Sequence, residues 1–288
     1  MKLLRFDDGG RPTLGVCRDG GVISLAPLAG EYPTMLSLIA GGDAALAKVR
    51  AFAETAPVHA CLSDVHLLAP VERPGKFLAI GMNYRKHIEE AKRLGVAIPD
   101  HQFWFNKQTS CIVGPHDDTD PGVTGQLDYE VELCVVIGKP AKRVTRENAR
   151  DHVFGYMVCN DVSARDWQKH SPTFTVGKSF DTHGPIGPWI TTADEVPDPH
   201  ALRLRSFVNG ESRQDGNTSE LVYDVWDQIA YLSTAFTLDA GDLIATGTPD
   251  GVGIAMTPPQ FLKPGDVVRC EIEGLGAIEN RVIAPTGR

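Results

Sequence analysis

Three acidic residues stand at alternate positions just before an apolar run, in the segment LDYEVELCVVIGK at 127–139. Such a run is typical of a β-strand that enters a hydrophobic core. Alternate residues of a strand point to one face, so Asp128, Glu130 and Glu132 should lie side by side. Because buried like charges repel, this pattern indicates either a structural edge of ion pairs or a bound cation.

A further acid, outside this segment, favours the bound cation. Asp161 follows the apolar run YMVCN, in NDVSARD, where the end of a strand would deliver its side chain to the rim of a sheet. Sites made only of carboxylates suit hard cations such as Mg²⁺, Mn²⁺ or Ca²⁺. Glu130, Glu132 and Asp161 are therefore candidate metal ligands, with coordination positions left open for water and substrate.

The amino-acid composition and net charge limit the classes of molecule that this protein would bind. Of 288 residues, 42% are hydrophobic and 23% are charged, as in an ordinary soluble globular protein. A net charge of -9 argues against nucleic acid or an anionic membrane as a partner, but not against a small anionic substrate. No apolar run approaches the roughly 18 residues of a membrane helix, and no signal peptide is expected. Six scattered cysteines without a CxxC pair indicate reduced thiols and a cytoplasmic location.

The chain divides into two regions at a segment that contains two prolines and a glycine, LLAPVERPGK at 67–76. Before it, residues 1–25 resemble short strands joined by glycine-rich turns, and 34–54 resemble a helix interrupted by GGD. We therefore predict a small N-terminal α+β domain, residues 1–70, and a larger β-rich domain, residues 71–288. Helices in the larger domain are expected at about 84–95, 145–152 and 221–237. Its expected strands are 77–81, 103–107, 129–138, 155–163, 189–192, 202–210, 242–247, 266–274 and 277–283.

Two basic or amide side chains follow Asp161 at helical spacing. Arg165 and Gln168 lie four and seven residues beyond it and would share its face if the segment were helical. The alternative for Arg165 is an ordinary salt bridge to Asp161 or Asp166. Lys178, in TVGKSFD, is the next cation, and a lysine near a metal is useful only if an anionic oxygen lies between them. Its alternative is a solvated surface lysine.

Residues His87 and Glu90, in HIEE, are neighbours if the segment is helical. A carboxylate beside an imidazole fixes the tautomer and raises its basicity, which makes a general base. The alternatives are an ordinary surface pair, or Glu89 as the partner. Thr248 lies in ATGTPDGVG, a glycine-rich loop after a strand, where backbone amides are suited to meet an anion.

Five motifs, in this order, resemble the fumarylacetoacetate hydrolase superfamily: GMNYRKHIEEAK, DYEVELCVVIGK, NDVSARDWQ, GKSFDTHGPIGP and ATGTPDGVG. The resemblance covers roughly residues 70–284. It implies a β-rich roll of mixed sheets, a homodimer, and an active site at the rim of the roll. It also implies Mg²⁺ or Mn²⁺ held by Glu130, Glu132 and Asp161, and it leaves the role of Asp128 open between a surface acid and one that supports the ligands.

The resemblance also assigns the remaining side chains. Arg165, Gln168 and Lys178 would face the substrate, Thr248 would contact its carboxylate, and Lys178 would stabilise an oxyanion. His87 and Glu90 would form a water-activating pair on a mobile lid. Residues 91–102 would complete that lid, with hinges at Gly95 and Pro99.

The expected reaction is therefore metal-dependent cleavage of a carbon–carbon bond in a 2,4-dioxo acid. The substrate would be an acylpyruvate or a 2,4-dioxo-3-deoxy sugar acid, and the products pyruvate and a carboxylic acid. Decarboxylation of oxaloacetate and keto–enol isomerisation of dienoates use the same apparatus and stay open as alternatives. A remote alternative is a metal-binding scaffold without activity.

Overall fold

The computed structural model describes residues 1–93 and 95–287. The strands are β1 (Lys2–Asp7), β2 (Pro12–Arg18), β3 (Gly21–Ser24), β4 (Ala60–Cys61), β5 (His66–Leu68), β6 (Phe77–Gly81), β7 (Phe103–Lys107), β8 (Ile112–Val113), β9 (Leu127–Asp128), β10 (Val131–Ile137), β11 (Val153–Asn160), β12 (Ser163–Ala164), β13 (Gly184–Thr192), β14 (Arg203–Val208), β15 (Glu211–Asn217), β16 (Leu243–Ala245), β17 (Val267–Ile272) and β18 (Gly276–Arg281). The helices are α1 (Met35–Ala40), α2 (Gly42–Thr55), α3 (Arg85–Arg93), α4 (Arg165–Gln168) and α5 (Val225–Ala235). No helix in the described part of the chain has the length and apolar character that a membrane span requires.

The described strands form one large mixed sheet and two smaller ones. In the large sheet the order is β4-β3-β2-β1-β13-β11-β10-β16-β6-β7, with β5 on β1 and β8 on β13. Most neighbours are antiparallel, while β16 pairs with β6 and β8 with β13 in parallel. A second sheet has the order β15-β14-β17-β18, and β9 pairs with β12. The predicted class, a β-rich α+β fold with mixed sheets, is confirmed.

The N-terminal strands belong to the same sheet as the larger region, because β1 pairs with β13 through Lys2–Thr191 and Leu3–Ile190. Helices α1 and α2 pack into a hydrophobic cluster that also contains Cys134 of β10. The division at residues 70 and 71 stays a prediction.

Strand β10 separates two hydrophobic clusters, and this decides where its acids lie. Leu133, Val135 and Ile137 belong to one cluster, whereas Cys134 and Val136 belong to the other. Since side chains alternate along a strand, the even-numbered positions before Cys134 face the second cluster. The end of that face carries the acidic residues of the site.

Most predicted elements are present, with several differences. The segment predicted as a helix at 145–152 is a 3-10 helix, Arg146–His152, in which Ala149 alone is buried. The strand expected at 189–192 begins earlier, at Gly184, opposite a register shift in β11. Strand β15 was not predicted, because ESRQDGN is polar and lacks an apolar alternation. The helix expected to reach residue 95 is described to Arg93, since Leu94 lies outside the described residues.

Candidate metal and substrate site

The three predicted metal ligands meet at the end of β10 and β11. One carboxylate oxygen from each of Glu130, Glu132 and Asp161 lies within 4.8 Å of the others, and all three residues are buried. The strand register brings them together, because Glu132 lies opposite Cys159 and the Asp161 amide donates to the Glu130 carbonyl at 2.9 Å. The expectation that these acids share one face at a strand end agrees with the geometry.

The electrostatics of this acidic triad fit a hard divalent cation. Burial, followed by the charges of Asp161 and Glu130, raises the pKa of Glu132 well above its ordinary value. Although burial also opposes ionisation of Glu130, Lys178 and Arg165 lower its pKa to about 2. A doubly charged ion among three carboxylate oxygens would remove the repulsion that Glu132 experiences. The donor set therefore suits Mg²⁺ or Mn²⁺.

Two buried lysines neutralise part of this charge. Lys178 Nζ donates to Glu130 Oε2 and to Asp161 Oδ2, at 2.6 Å each. Lys107 Nζ donates to Asp161 Oδ1 at 2.7 Å and also to the carbonyl of Lys178. A cation shared by the triad must therefore compete with the Lys178 ammonium for two of its ligands. Sequence reasoning missed Lys107, although its place in FWFNK, two residues after the buried Phe105 on one strand face, was a usable signal.

Helix α4 carries the two predicted substrate contacts, but the predicted helical grouping with Asp161 is wrong. The helix begins at Arg165, because Ser163 and Ala164 are extended and pair with β9. Arg165 does not pair with Asp161 or Asp166. Its Nε donates to Asp128 Oδ2 at 2.9 Å, and its Nη2 lies 2.7 Å from Glu130 Oε1.

The predicted pair of a general base, His87, and its carboxylate partner, Glu90, forms on helix α3. His87 Nδ1 lies 3.0 Å from Glu90 Oε2, and Glu90 Oε1 accepts from the Gly251 amide at 3.0 Å. Glu89 is exposed, so Glu90 is the partner. With Nδ1 donating to Glu90, the lone pair of His87 lies on Nε2.

The glycine-rich loop at 247–255 supplies Thr248 and several amides. The Thr248 hydroxyl donates to the Val131 carbonyl at 2.9 Å and accepts from Gln214 at 2.7 Å. The Gly247 amide donates to Glu132 Oε2 at 2.8 Å. The loop thus fixes a triad carboxylate as well as forming part of the cavity wall.

One cavity of about 320 Å³ unites the predicted residues. Asp161 does not line it, because Lys107 and Lys178 cover its oxygens. The predicted site residues in its wall are His87, Glu90, Glu130, Glu132, Arg165, Gln168, Lys178 and Thr248.

A larger groove of about 480 Å³ lies beside α2. Ionic side chains there pair with each other, as in Arg50–Asp194 at 2.6 Å and Lys139–Asp43 at 3.3 Å. We therefore place the site in the smaller cavity, where acids, bases and cations converge.

Comparisons with known proteins agree with the resemblance seen in the sequence. The family model described as fumarylacetoacetate (FAA) hydrolase C-terminal matches residues 76–283. Oxaloacetate tautomerase FAHD2A, mitochondrial, from Homo sapiens is 45% identical over 269 residues, which cover 92% of this chain and 84% of that protein.

Two solved structures share the fold over their whole length. Fumarylacetoacetate hydrolase from Exiguobacterium antarcticum is 40% identical, with a TM-score of 0.85 and 99% of both chains covered. Maleylpyruvate hydrolase from Sphingobium sp. SYK-6, in complex with manganese(II) and pyruvate, is 32% identical. Its TM-score is 0.84, with 99% of this chain and 100% of that chain covered.

Proposed function

This chain belongs to the fumarylacetoacetate hydrolase family, and on that premise we propose that it is a metal-dependent keto–enol tautomerase of a short 2-oxo acid of the oxaloacetate type. The observation that carries the proposal is the convergence on one cavity of a His–carboxylate pair, a buried lysine and two acids of the triad, with the third acid, Asp161, within 4.8 Å of both. A base for a carbon-bound proton and charge for the neighbouring oxygen are what enolisation requires.

The size and charge of the cavity support a small acid as substrate. About 320 Å³ is near the lower end of ordinary ligand pockets, which hold about 300–1,000 Å³. Arg165 and Lys178 bring two cationic groups to one end, beside Gln168. A carboxylate and an adjacent carbonyl oxygen are the groups that such an end would bind.

The triad would hold the metal. A divalent cation, Mg²⁺ or Mn²⁺, held by Glu130, Glu132 and Asp161 would supply Lewis-acid polarisation of the 2-oxo carbonyl. Manganese in the solved maleylpyruvate hydrolase supports this choice of ion.

The protein's own groups would carry out the proton transfer. His87 Nε2 would take a proton from the carbon next to the 2-oxo carbonyl, with Glu90 holding the imidazole in the required tautomer. Lys178 Nζ would donate a hydrogen bond to the oxygen on which negative charge develops. The proton that His87 has taken is then returned to that oxygen, which gives the enol and restores the neutral imidazole, and the reverse sequence converts enol to ketone.

Hydrolysis of a 2,4-dioxo acid is the second candidate. It is favoured by the same His87–Glu90 pair, which could activate water, and by the 32% identical maleylpyruvate hydrolase. We place tautomerisation first because the relative named as an oxaloacetate tautomerase is more similar, at 45% identity.

The test follows loss of the enol absorbance of oxaloacetate with Mg²⁺ or Mn²⁺, against a metal-only control. A second assay measures pyruvate and CO₂ from oxaloacetate and from an acylpyruvate. Acceleration of enol loss without pyruvate formation would support the proposal. Pyruvate with an acid from the acylpyruvate would favour the hydrolase, and CO₂ from oxaloacetate the decarboxylase. No turnover in any assay would favour the scaffold.

We predict that His87→Gln lowers kcat by about 10²- to 10⁴-fold, because it removes the general base. The matched control is Glu89→Gln, an exposed neighbour on the same helix, which should retain parental activity. Parental activity in His87→Gln, with Mn²⁺ still bound, would remove the pair from the mechanism.

Homodimer assembly, a cytoplasmic location and the absence of nucleic-acid or membrane partners are further parts of the proposal. The human relative is named as mitochondrial, so location has to be measured in the source cell. Light scattering of the purified protein decides the oligomeric state.

A further inference from the structure

Asp128 is completely buried and lies outside the cavity wall. Both of its carboxylate oxygens accept two hydrogen bonds each. Its Oδ1 accepts from the amides of Tyr129 at 2.9 Å and Gly253 at 2.8 Å. Its Oδ2 accepts from Arg165 Nε at 2.9 Å and from the Ile254 amide at 3.0 Å. Four donors around one carboxylate make a fixed junction between separate parts of the chain.

One partner of this junction is a candidate substrate contact. Arg165 is 5% exposed, and its guanidinium has a second ion pair, with Glu130 at 2.7 Å, and a bond from Nη1 to Gln168 at 3.2 Å. The Nε contact with Asp128 sets the plane of the guanidinium, because the fork of N–H donors is rigid. Asp128 therefore decides which edge of Arg165 faces the cavity.

The other partner is a second segment of the chain that forms part of the cavity wall. The 3-10 turn Gly253–Ala255 follows Val252, and Val252, Ile254 and Ala255 line the cavity. A Cβ at Gly253 would lie 2.7 Å from Asp128 Oδ1 and 2.1 Å from the Gln260 carbonyl. Glycine is thus required for the close approach of this turn to the carboxylate.

We propose that Asp128 is a positioning residue for substrate binding: its buried carboxylate holds the Arg165 guanidinium in register with the Gly253–Ala255 wall, and so shapes the anion-binding end of the cavity. This role deepens the proposed function and rests on it. It is distinct from metal binding, since Asp128 does not belong to the acidic triad.

Asparagine at position 128 is the direct test, because it keeps the shape but has one acceptor oxygen. If that oxygen receives the Tyr129 and Gly253 amides, the NH₂ group opposes the Arg165 and Ile254 donors. The probe is pyruvate, titrated by calorimetry into the Mn²⁺-loaded protein. We expect Asp128→Asn to weaken pyruvate binding by about 10- to 100-fold, the loss of one charge-assisted hydrogen bond, with Mn²⁺ affinity close to that of the wild type.

Asp166→Asn is the matched control. Asp166 lies on the same short helix and accepts from Thr124, from the Gly125 amide at 3.2 Å and from the Trp167 amide at 3.0 Å. Its carboxylate forms no ion pair with the Arg165 guanidinium, which pairs with Asp128 and Glu130, and Asp166 does not line the cavity. This variant should bind pyruvate like the wild type even if its melting temperature falls.

A double-mutant cycle separates positioning from a general structural role. Arg165→Lys keeps the charge but removes the Nε donor, and it should lose a similar fraction of pyruvate affinity. If Asp128 acts through Arg165, the double variant will bind no worse than either single variant. Additive losses would overturn the proposal, as would wild-type pyruvate binding in Asp128→Asn.

The Arg165→Lys variant also decides the matter should Asp128→Asn fail to fold. Wild-type affinity in Arg165→Lys would mean that an oriented guanidinium is not needed, and the proposal would be overturned. Failure of the proposed function is visible separately, because the unmodified protein would then neither bind pyruvate with Mn²⁺ nor accelerate enol loss.

Discussion

Glu132→Gln should stabilise the metal-free protein and at the same time abolish its stabilisation by Mn²⁺. Both effects have one physical origin, the negative charge of a carboxylate that is 1% exposed and close to two others. Glutamine keeps an oxygen acceptor for the Gly247 amide, which donates to Glu132 at 2.8 Å, so the local hydrogen bonding survives.

The size of the first effect follows from proton linkage. The folded pKa of Glu132 is raised well above its ordinary 4.5, chiefly by burial and then by Asp161 and Glu130. A carboxyl group with a raised folded pKa destabilises the folded state once the pH exceeds the unfolded pKa. Each unit of the rise costs about 1.4 kcal/mol at a pH above both pKa values. Glutamine removes this cost, and each kcal/mol recovered should raise Tm by about 2–4 °C.

The second effect follows from mass action. A ligand at 100 times its Kd stabilises the folded state by about 2.7 kcal/mol, which corresponds to roughly 5–10 °C for a chain of this size. The wild type should show this increase with Mn²⁺. Glu132→Gln should show almost none, because a neutral amide replaces one of three anionic ligands.

Differential scanning calorimetry in EDTA and in saturating Mn²⁺ measures both quantities. Glu273→Gln, an exposed position in the turn between β17 and β18, is the matched control and should leave both Tm values unchanged. A Glu132→Gln protein that melts below the wild type in EDTA, yet retains the Mn²⁺ shift, would refute the account of the triad.

Two further predictions concern the surroundings of the site. Gly177→Ala should destabilise the protein by about 1–3 kcal/mol and impair activity, because the added Cβ would lie 2.2 Å from the Gln168 amide nitrogen. Chemical denaturation measures the loss of stability, and Gly30→Ala, at a position with open space around it, is the control. Burial, followed by the charge of Lys107, lowers the pKa of His183 to about 3. As the pH falls from 6.5 toward 3, the unfolded chain binds a proton at this histidine and the folded protein does not, so the free energy of unfolding decreases. Between pH 7 and pH 5 the wild type should therefore lose about 2 kcal/mol more than His183→Phe in urea titrations, and equal losses would contradict this.

The acidic triad could be predicted from the sequence because two local rules suffice for it. Strand alternation places Glu130 and Glu132 on one face, and the end of the neighbouring strand delivers Asp161. The candidate pair His87 and Glu90 needed only helical spacing. Elements with a strong apolar period, such as β6 and β7, were predicted with the bounds that the structure has.

Contacts between distant segments could not be predicted in this way. The grouping of Arg165 with Asp161 depended on a helix between them, whereas β12 keeps that stretch extended. The bond from Lys107 to Asp161 joins residues 54 positions apart, and it depends on how β7 is placed relative to β11 across the sheet. Local periodicity contains no information about such pairings.

The amides of the glycine-rich loop bind anions as expected, but these anions are carboxylates of the protein itself. Backbone amides in ATGTPDGVG were expected to meet an anion, and the structure places the protein's own carboxylates there. The amides of Gly247, Gly251 and Gly253 donate to Glu132, Glu90 and Asp128 respectively. Glu132 is an acid of the triad, Glu90 is the partner of the candidate general base His87, and Asp128 accepts the hydrogen bond from Arg165.

One short loop thus holds a carboxylate from each part of the site. Gly247 and Gly251 have φ of +101°, a backbone conformation that residues with a Cβ rarely adopt. A Cβ at Gly251 would also lie 2.1 Å from the Arg213 carbonyl. The glycines are therefore needed less to admit a substrate than to bring three amides against three buried acids. A change in this loop should consequently disturb metal binding, proton transfer and substrate binding together, whereas a change at Asp128 should disturb substrate binding alone.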